Sequence, residues 1–193
     1  MSVSVREASL VDALFAFCLL VRNYVEKEYL PLTPTVENFK KYRKILVALL
    51  KKDSENEKTL VAKDGVHVVG TISYCVRDGA LPIEHMFVEQ LAHIRKEHPR
   101  IAYIGNFATN HQYSCTRLAL RMMRDVEDVC RARGADAAVC VVNPDHVGLY
   151  EKRGFTIVAE LPAMEGLTQK ARAVLLLKTA YSASRTQKAP HAT

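Results

Sequence analysis

The residues of this chain best placed to do chemistry lie in one short run, Asn143-Pro-Asp-His-Val-Gly-Leu-Tyr150, followed by Gly154-Phe155. The run follows the almost wholly apolar stretch Ala135–Val142, and sites gather at the C-terminal ends of buried strands in α/β sheets. An Asn there pairs with a ligand amide or with unsatisfied backbone. Tyr150 falls seven residues after Asn143, about two helical turns, so both sit on one side of a short helix. A phenol in that place can protonate a leaving group. It also suits a core tyrosine whose hydroxyl finds a backbone partner. A second candidate is the loop His111–Ala119 (HQYSCTRLA), which opens a helix. A helix N-terminus presents unpaired N–H groups and a positive dipole end, so it can hold phosphate. The loop has no glycine, and Arg117 is the residue able to add a charge-assisted contact; Ser114 or Thr116 serves equally as a plain cap. Two weaker features are the Glu84-His85 neighbours, as an acid–base pair, and Cys115, whose thiol pKa a helix N-terminus would depress.

The elements that must position these groups can be read from pattern. Val3–Arg6 is a short strand. Ser9 caps a helix to about Glu28 with Leu10, Leu14, Phe17 and Val21 on one face. Pro31 and Pro34 end it, and Thr35 caps a second helix to about Lys52 bearing Phe39, Tyr42, Leu46 and Leu49. Leu60–Lys63 and Val66–Val76 flank Asp64-Gly65, the pair a type I′ hairpin turn favours. A helix follows at Val88–Lys96, then the strand Ile101–Thr109 with Gly105 as a bulge candidate. Thr116–Arg133 is amphipathic, with Leu118, Met122, Val126 and Val129 inward and Arg117, Arg121, Arg124, Asp128 and Arg131 outward, and Gly134 stops it. Asn143-Pro144 opens a short helix to Lys152, and Phe155–Glu160 and Ala173–Lys178 are the closing strands. The order β-α-α-β-β-α-β-α-β-α-β-β specifies an α/β (α+β mixed sheet) domain with helices on both faces. Residues 1–180 read as a single domain and 181–193, small and polar, as a disordered tail.

Composition agrees. A chain of 193 residues with 49% hydrophobic and 25% charged residues is neither disordered nor fibrous. No apolar run reaches the ~18 residues of a membrane span, and Arg6, Glu7 and Asp12 interrupt the place of a signal-peptide core. The five cysteines are odd in number and never spaced C-x-x-C, so free thiols in the cytoplasm and no metal site are expected. The net charge of +6 suits an anionic partner such as a phosphorylated cofactor or an acidic carrier protein. Nucleic acid has only that charge in its favour, without aromatic–basic interleaving, and is not expected.

The run N-P-x-x-x-x-x-Y-x-x-x-G-F after a strand resembles the last motif of the GNAT acyltransferase superfamily. That resemblance implies a GNAT-like fold whose two central parallel strands splay around a pantetheine thioester. It implies that Tyr150 protonates the departing thiolate. The pyrophosphate motif R/Q-x-x-G-x-G/A would fall on Ser114, Cys115, Thr116, Arg117, Leu118 and Ala119, where only Ala119 conforms. Leu19–Leu32, with Leu81–Phe87 (LPIEHMF) and the stretch from Glu89 to Ala108, is similar to the long-chain N-acyl amino acid synthase group, akin to acyl-homoserine-lactone synthases. The resemblance covers most of residues 5–160. Those enzymes join a fatty acyl group, usually from acyl carrier protein, to an amino acid amine. Their strand commonly reads E-x-x-R; here it is Tyr103-Ile-Gly-Asn106, which puts Tyr103 where the acidic residue that could serve as base would stand.

The reading is thus an N-acyltransferase that uses an acyl carrier protein thioester or acyl-CoA, without metal, on a small-molecule amine. Backbone N–H groups near Phe107, Ala108 and Thr109 would polarise the carbonyl, with Asn143 beside them. Two alternatives stand: a short-chain acetyl-CoA-dependent N-acetyltransferase, and a non-catalytic GNAT-fold protein that binds an acyl carrier or lipid. On the main reading, Ile101–Thr109 and Ala135–Val142 must be adjacent parallel strands that diverge at their C-terminal ends.

Overall fold

The computed structural model describes residues 3–27, 57–113, 117–161 and 173–179. The expected helix over Thr35–Lys52 and the tail from residue 181 lie outside the described residues. Seven strands form one mixed sheet in the order β1-β2-β3-β4-β5-β7-β6. They are β1 (Val3–Glu7), β2 (Glu57–Asp64), β3 (His67–Arg77), β4 (Ile101–Thr109), β5 (Ala137–Val142), β6 (Thr156–Leu161) and β7 (Ala173–Lys178). Four helices are described: α1 (Leu10–Glu26), α2 (Val88–Glu97), α3 (Arg117–Ala132) and α4 (Val147–Glu151). All pairings are antiparallel except β4 with β5. Among the described residues, three core clusters pack on the sheet, one of them Leu19 and Leu20 of α1 with Ala108 of β4. Met122, Met123 and Val126 of α3 enter a second with Ile72, Tyr74 and Ile104, and Leu91 and Ile94 of α2 enter the third with Cys75, Ile101 and Val139.

Local chemistry explains the element ends. Ser9 and Asp12 make a reciprocal capping box at the start of α1. Gly134, at φ 79°, supplies the left-handed residue that ends α3. The β2–β3 hairpin turns one residue later than the sequence pattern suggests. Asp64 pairs with His67, so Gly65 and Val66 are the central residues, and positive φ at Gly65 alone (59°) is the type II′ pattern.

The buried face of α1 also differs from expectation. Leu10 and Leu14 are 71% and 47% exposed, and Phe17 and Val21 are half-buried. Asp12, Ala13, Ala16, Leu19 and Leu20 face the sheet instead. The helix is apolar nearly all round, so periodicity does not select a face. Asp12 does. It is 2% exposed and accepts from Lys63 at 3.0 Å, with Arg6 at 2.6 Å. Burial works to raise its pKa, but the bonds from Ser9 and Lys63 and the charge of Arg6 outweigh that and hold the carboxyl well below the usual range. Small Ala13 and Ala16 then let α1 sit close.

A second buried carboxylate anchors the other end of the fold. Glu127 of α3 is 1% exposed and accepts from Arg153, just after α4, at 3.1 Å and from Lys178 of β7 at 2.7 Å. The pairing holds the segment that carries Tyr150 against α3. Removing the carboxylate leaves two cations facing a desolvated site. Because Arg153 and Lys178 keep 27% and 13% side-chain exposure, the cost sits at the low end for broken buried pairs. Glu127→Ala is therefore expected to lose ~3 kcal/mol of unfolding free energy in urea titration; a loss near the ~0.5 kcal/mol of a surface change would contradict this role.

Candidate active site

β4 and β5 are hydrogen-bonded neighbours only from Ile101↔Ala137 to Ile104↔Cys140. Beyond that pair β5 stays with β7 through Val141↔Leu175 and Val142↔Val174, while β4 stays with β3 through Thr71↔Ala108 and Gly70↔Thr109. The two central strands therefore part at their C-terminal ends, as the sequence reading requires. The cause lies in β4. Between Ser73↔Gly105 and Thr71↔Ala108, two residues of β4, Asn106 and Phe107, oppose the single Ile72. Such a bulge bends its strand and strengthens the local twist. Asn106 takes φ 50°, the only positive φ at a non-glycine among the described residues. The bulge thus lies one residue past Gly105. Gly105 has another use: a Cβ there would fall 2.4 Å from the Tyr103 hydroxyl, so its bare backbone accommodates the Tyr103 ring.

Residues 105–109 of β4 have β3 on one side and, among the described residues, no strand on the other. Their free edge is a row of backbone donors and acceptors that an extended amide-bearing chain can meet. The gap is a cavity of about 440 Å³. Phe107, Ala108, Thr109, Ala119, Asn143 and Tyr150, six of the residues expected at a site, line it. Arg117 starts α3 as an exposed residue and is not on the cavity wall. Ser114, Cys115 and Thr116 lie outside the described residues. Glu84 is engaged elsewhere: Arg95 grips both its oxygens at 2.8 and 2.9 Å, which lowers its pKa, and it accepts from the Leu81 N–H.

Tyr150 is 4% exposed and stacks edge-on against Phe155, with ring centroids 5.6 Å apart. Burial pushes its phenol pKa well above the usual value, with Cys140, Tyr103 and Tyr24 adding to the shift. The hydroxyl therefore keeps its proton at neutral pH, as an acid must. Tyr103 is also raised, by burial first and then by Tyr24 and Cys140. It is not itself on the cavity wall, but its hydroxyl overlies Gly105, which is. Asn143 bends the chain after β5 by accepting from the Asp145 N–H at 3.1 Å, opening the turn Pro144–His146 ahead of α4.

The cavity also has a wall that sequence reasoning missed. The last turn of α1 contributes Asn23, Tyr24 and Lys27, and His146 faces them from the Pro144–His146 turn. Asn23 donates to the Thr109 carbonyl at 3.4 Å, tying α1 to the end of β4. Lys27 Nζ lies 2.5 Å from His146 Nε2. Burial lowers the His146 pKa and the Lys27 cation lowers it further, against Asp145, so the imidazole is neutral at pH 7. A clue to His146 lay in its spacing, one turn before Tyr150; Lys27 offered none.

The fold has wide company among solved structures. FeeM, an N-acyl amino acid synthase from uncultured soil microbes, superposes with TM-score 0.71 at 22% identity, over 92% of this chain and 91% of that one. A GNAT-family acetyltransferase from Streptococcus pneumoniae gives 0.62 at 18% identity, over 92% and 98%. The PaiA N-acetyltransferase from Thermoplasma acidophilum, in complex with coenzyme A, gives 0.61 at 15% identity, over 93% and 99%. These likenesses establish the GNAT fold. In sequence, residues 16–178 match the family described as N-acyl amino acid synthase FeeM. No curated protein matches the chain.

The strained bulge yields a direct test. A branched side chain is poorly tolerated at φ 50°, whereas glycine is at ease there. Asn106→Val should lower stability by ~1–2 kcal/mol, and Asn106→Gly should leave it within ~0.5 kcal/mol, both read from denaturant midpoints. Equal losses from the two substitutions would contradict the backbone argument.

Proposed function

The chain belongs to the N-acyl amino acid synthase FeeM family, and on that premise we propose that it moves a fatty acyl group from a pantetheine thioester to the amine of an amino acid in the cleft between β4 and β5. The family is one of acyltransferases on the GNAT fold. The observation that carries the reading is that residues 105–109 of β4 and Tyr150 line one cavity.

The pantetheine arm lies along residues 105–109, whose unpaired edge offers its amides the partners a neighbouring strand would. The thioester carbonyl points at backbone N–H groups near Phe107 and Ala108, released by the bulge. Donors held there by the sheet need no reorganisation as the oxyanion forms, and one such donor is typically worth ~10²–10³ in rate. The amine attacks the carbonyl carbon, forming the C–N bond. Its surplus proton passes to the neutral His146 ring. As the tetrahedral intermediate collapses, the C–S bond breaks and Tyr150 gives its proton to the thiolate. The products are an N-acyl amino acid and a free thiol, and solvent returns the imidazolium proton to the phenolate. His146 thus fills the role of base that the acid of the family's E-x-x-R strand could serve, where this chain has Tyr103.

The net charge of +6 suits an anionic donor, whether coenzyme A with its phosphates or an acidic carrier protein, and the carrier is the donor proposed. Arg117 and Arg124 stand exposed on α3, and Arg117 opens that helix two residues before Ala119, which lines the cavity. Arg121 is partly engaged by Asp125 at 3.7 Å and by the Val3 carbonyl at 2.8 Å.

Incubation with long-chain acyl carrier protein or the matching acyl-CoA and a mixture of amino acids, read by mass spectrometry, should give N-acyl amino acids fastest from the carrier. Equal or better use of acyl-CoA would remove the carrier from the account, and acetyl-CoA as the best donor would favour a short-chain acetyltransferase. Tyr150→Phe should lower kcat by ~10²–10⁴-fold with little change in KM. An unchanged kcat would reduce Tyr150 to packing. The rate should also fall on the acid side as His146 protonates, with a midpoint below the usual histidine value of 6.5. Lys27 of α1 and Asp145 of its own turn act on that ring, and the other titratable groups lining the same cavity are Tyr24 and Glu26 from α1, Tyr150 from α4 and His111 after β4. An acid limb unaltered in His146→Gln would remove the ring from the proton path.

A further inference from the structure

We propose that Lys27 is the specificity-determining residue for the acceptor, its ammonium taking the carboxylate of an α-amino acid while the adjoining His146 ring meets that molecule's amine. The proposal rests on the acyltransferase reading above and deepens it.

The first ground is position. Lys27 caps the C-terminal end of α1, and His146 stands 119 residues further along the chain, yet Nζ and Nε2 meet at 2.5 Å on the cavity wall. The second is charge. Among the described residues Lys27 contacts that ring and no carboxylate. Glu26, beside it, is tied to Arg22 at 2.6 Å, and Asp145 acts on Lys27 only as a nearby charge. With Leu20, Val142 and Leu149 on the apolar wall, Lys27 is the cation of the cavity among the described residues and marks its anion-binding side. The third is spacing. The amine and carboxylate of an α-amino acid share one carbon, so the groups that read them must be neighbours. A cation touching a neutral imidazole has that spacing.

The contact also couples binding to chemistry. An ammonium N–H directed at Nε2 occupies the lone pair that must accept the amine proton. A carboxylate is the stronger acceptor for that ammonium. An arriving amino acid therefore draws Lys27 onto its carboxylate and uncovers the base beside its own amine. An amine without a carboxylate finds the base still covered. Selection for amino acids then appears in kcat as well as in KM.

The test uses the full-length protein and the better donor of the two compared above. The best acceptor among the twenty common amino acids is set against its own amide, which keeps the amine and side chain but lacks the negative charge. The readout is the ratio of the two kcat/KM values. The wild-type ratio should favour the acid, and Lys27→Met should collapse it by about 10–100-fold, the worth of one hydrogen bond to a charged group. Lys27→Arg, which keeps the cation, should restore most of it. Each variant is compared with itself, so the lower basicity of the amide's amine cancels, and a general loss of folded protein cancels too. A ratio unmoved in Lys27→Met overturns the assignment while acyl transfer itself stands. Absence of transfer from either donor to any amine in the wild-type protein sinks the acyltransferase reading, and Lys27's role with it.

Discussion

Everything in this site depends on the parting of two parallel strands. β4 and β5 share four residue pairs and then separate, each held by its outer neighbour. Separation leaves a stretch of β4 edge with no strand beside it among the described residues, and backbone donors and acceptors in the middle of a sheet call for something else to meet them. The bulge at Asn106–Phe107 turns β4 away, and the continued pairing of β5 with β7 keeps β5 from following. The cavity is the space between, and in the proposed mechanism the chain that fills it offers amides in an extended form. Pantetheine has that chemistry.

Around the opening, the structure sets two titratable groups by different means, and in the proposed mechanism one gives a proton and the other takes one. Tyr150 is kept protonated by burial among apolar neighbours and other phenols. His146 is kept neutral by burial and by the adjacent Lys27 charge. The two sit about one helical turn apart on the segment Asn143–Glu151, so a single local fold, opened by the Asn143 turn and anchored through Arg153 to Glu127, sets both. Acid and base roles follow from environments that push two titratable groups in opposite directions.

The sequence disclosed the elements well where local chemistry decides them. Ser9, Gly134 and Asn143-Pro144 each marked a boundary that the structure confirms, and the spacing of Asn143 and Tyr150 found the cleft wall. It misled where tertiary contacts decide. The face of α1 is set by a buried Asp12 between two cations, which apolar periodicity cannot register. The bulge fell at Asn106, not at Gly105, because the glycine makes room for a ring and the asparagine takes the strained φ. Lys27 and His146 meet only through folding, so no spacing rule could pair them.

The most direct test of the account is a crystal structure with a non-hydrolysable acyl-pantetheine analogue bound. The account predicts the pantetheine alongside residues 105–109, its carbonyl oxygen within about 3 Å of a backbone N–H at Phe107 or Ala108, and its sulfur beside the Tyr150 hydroxyl. An analogue bound elsewhere, or β4 and β5 drawn together along their full length, would contradict it.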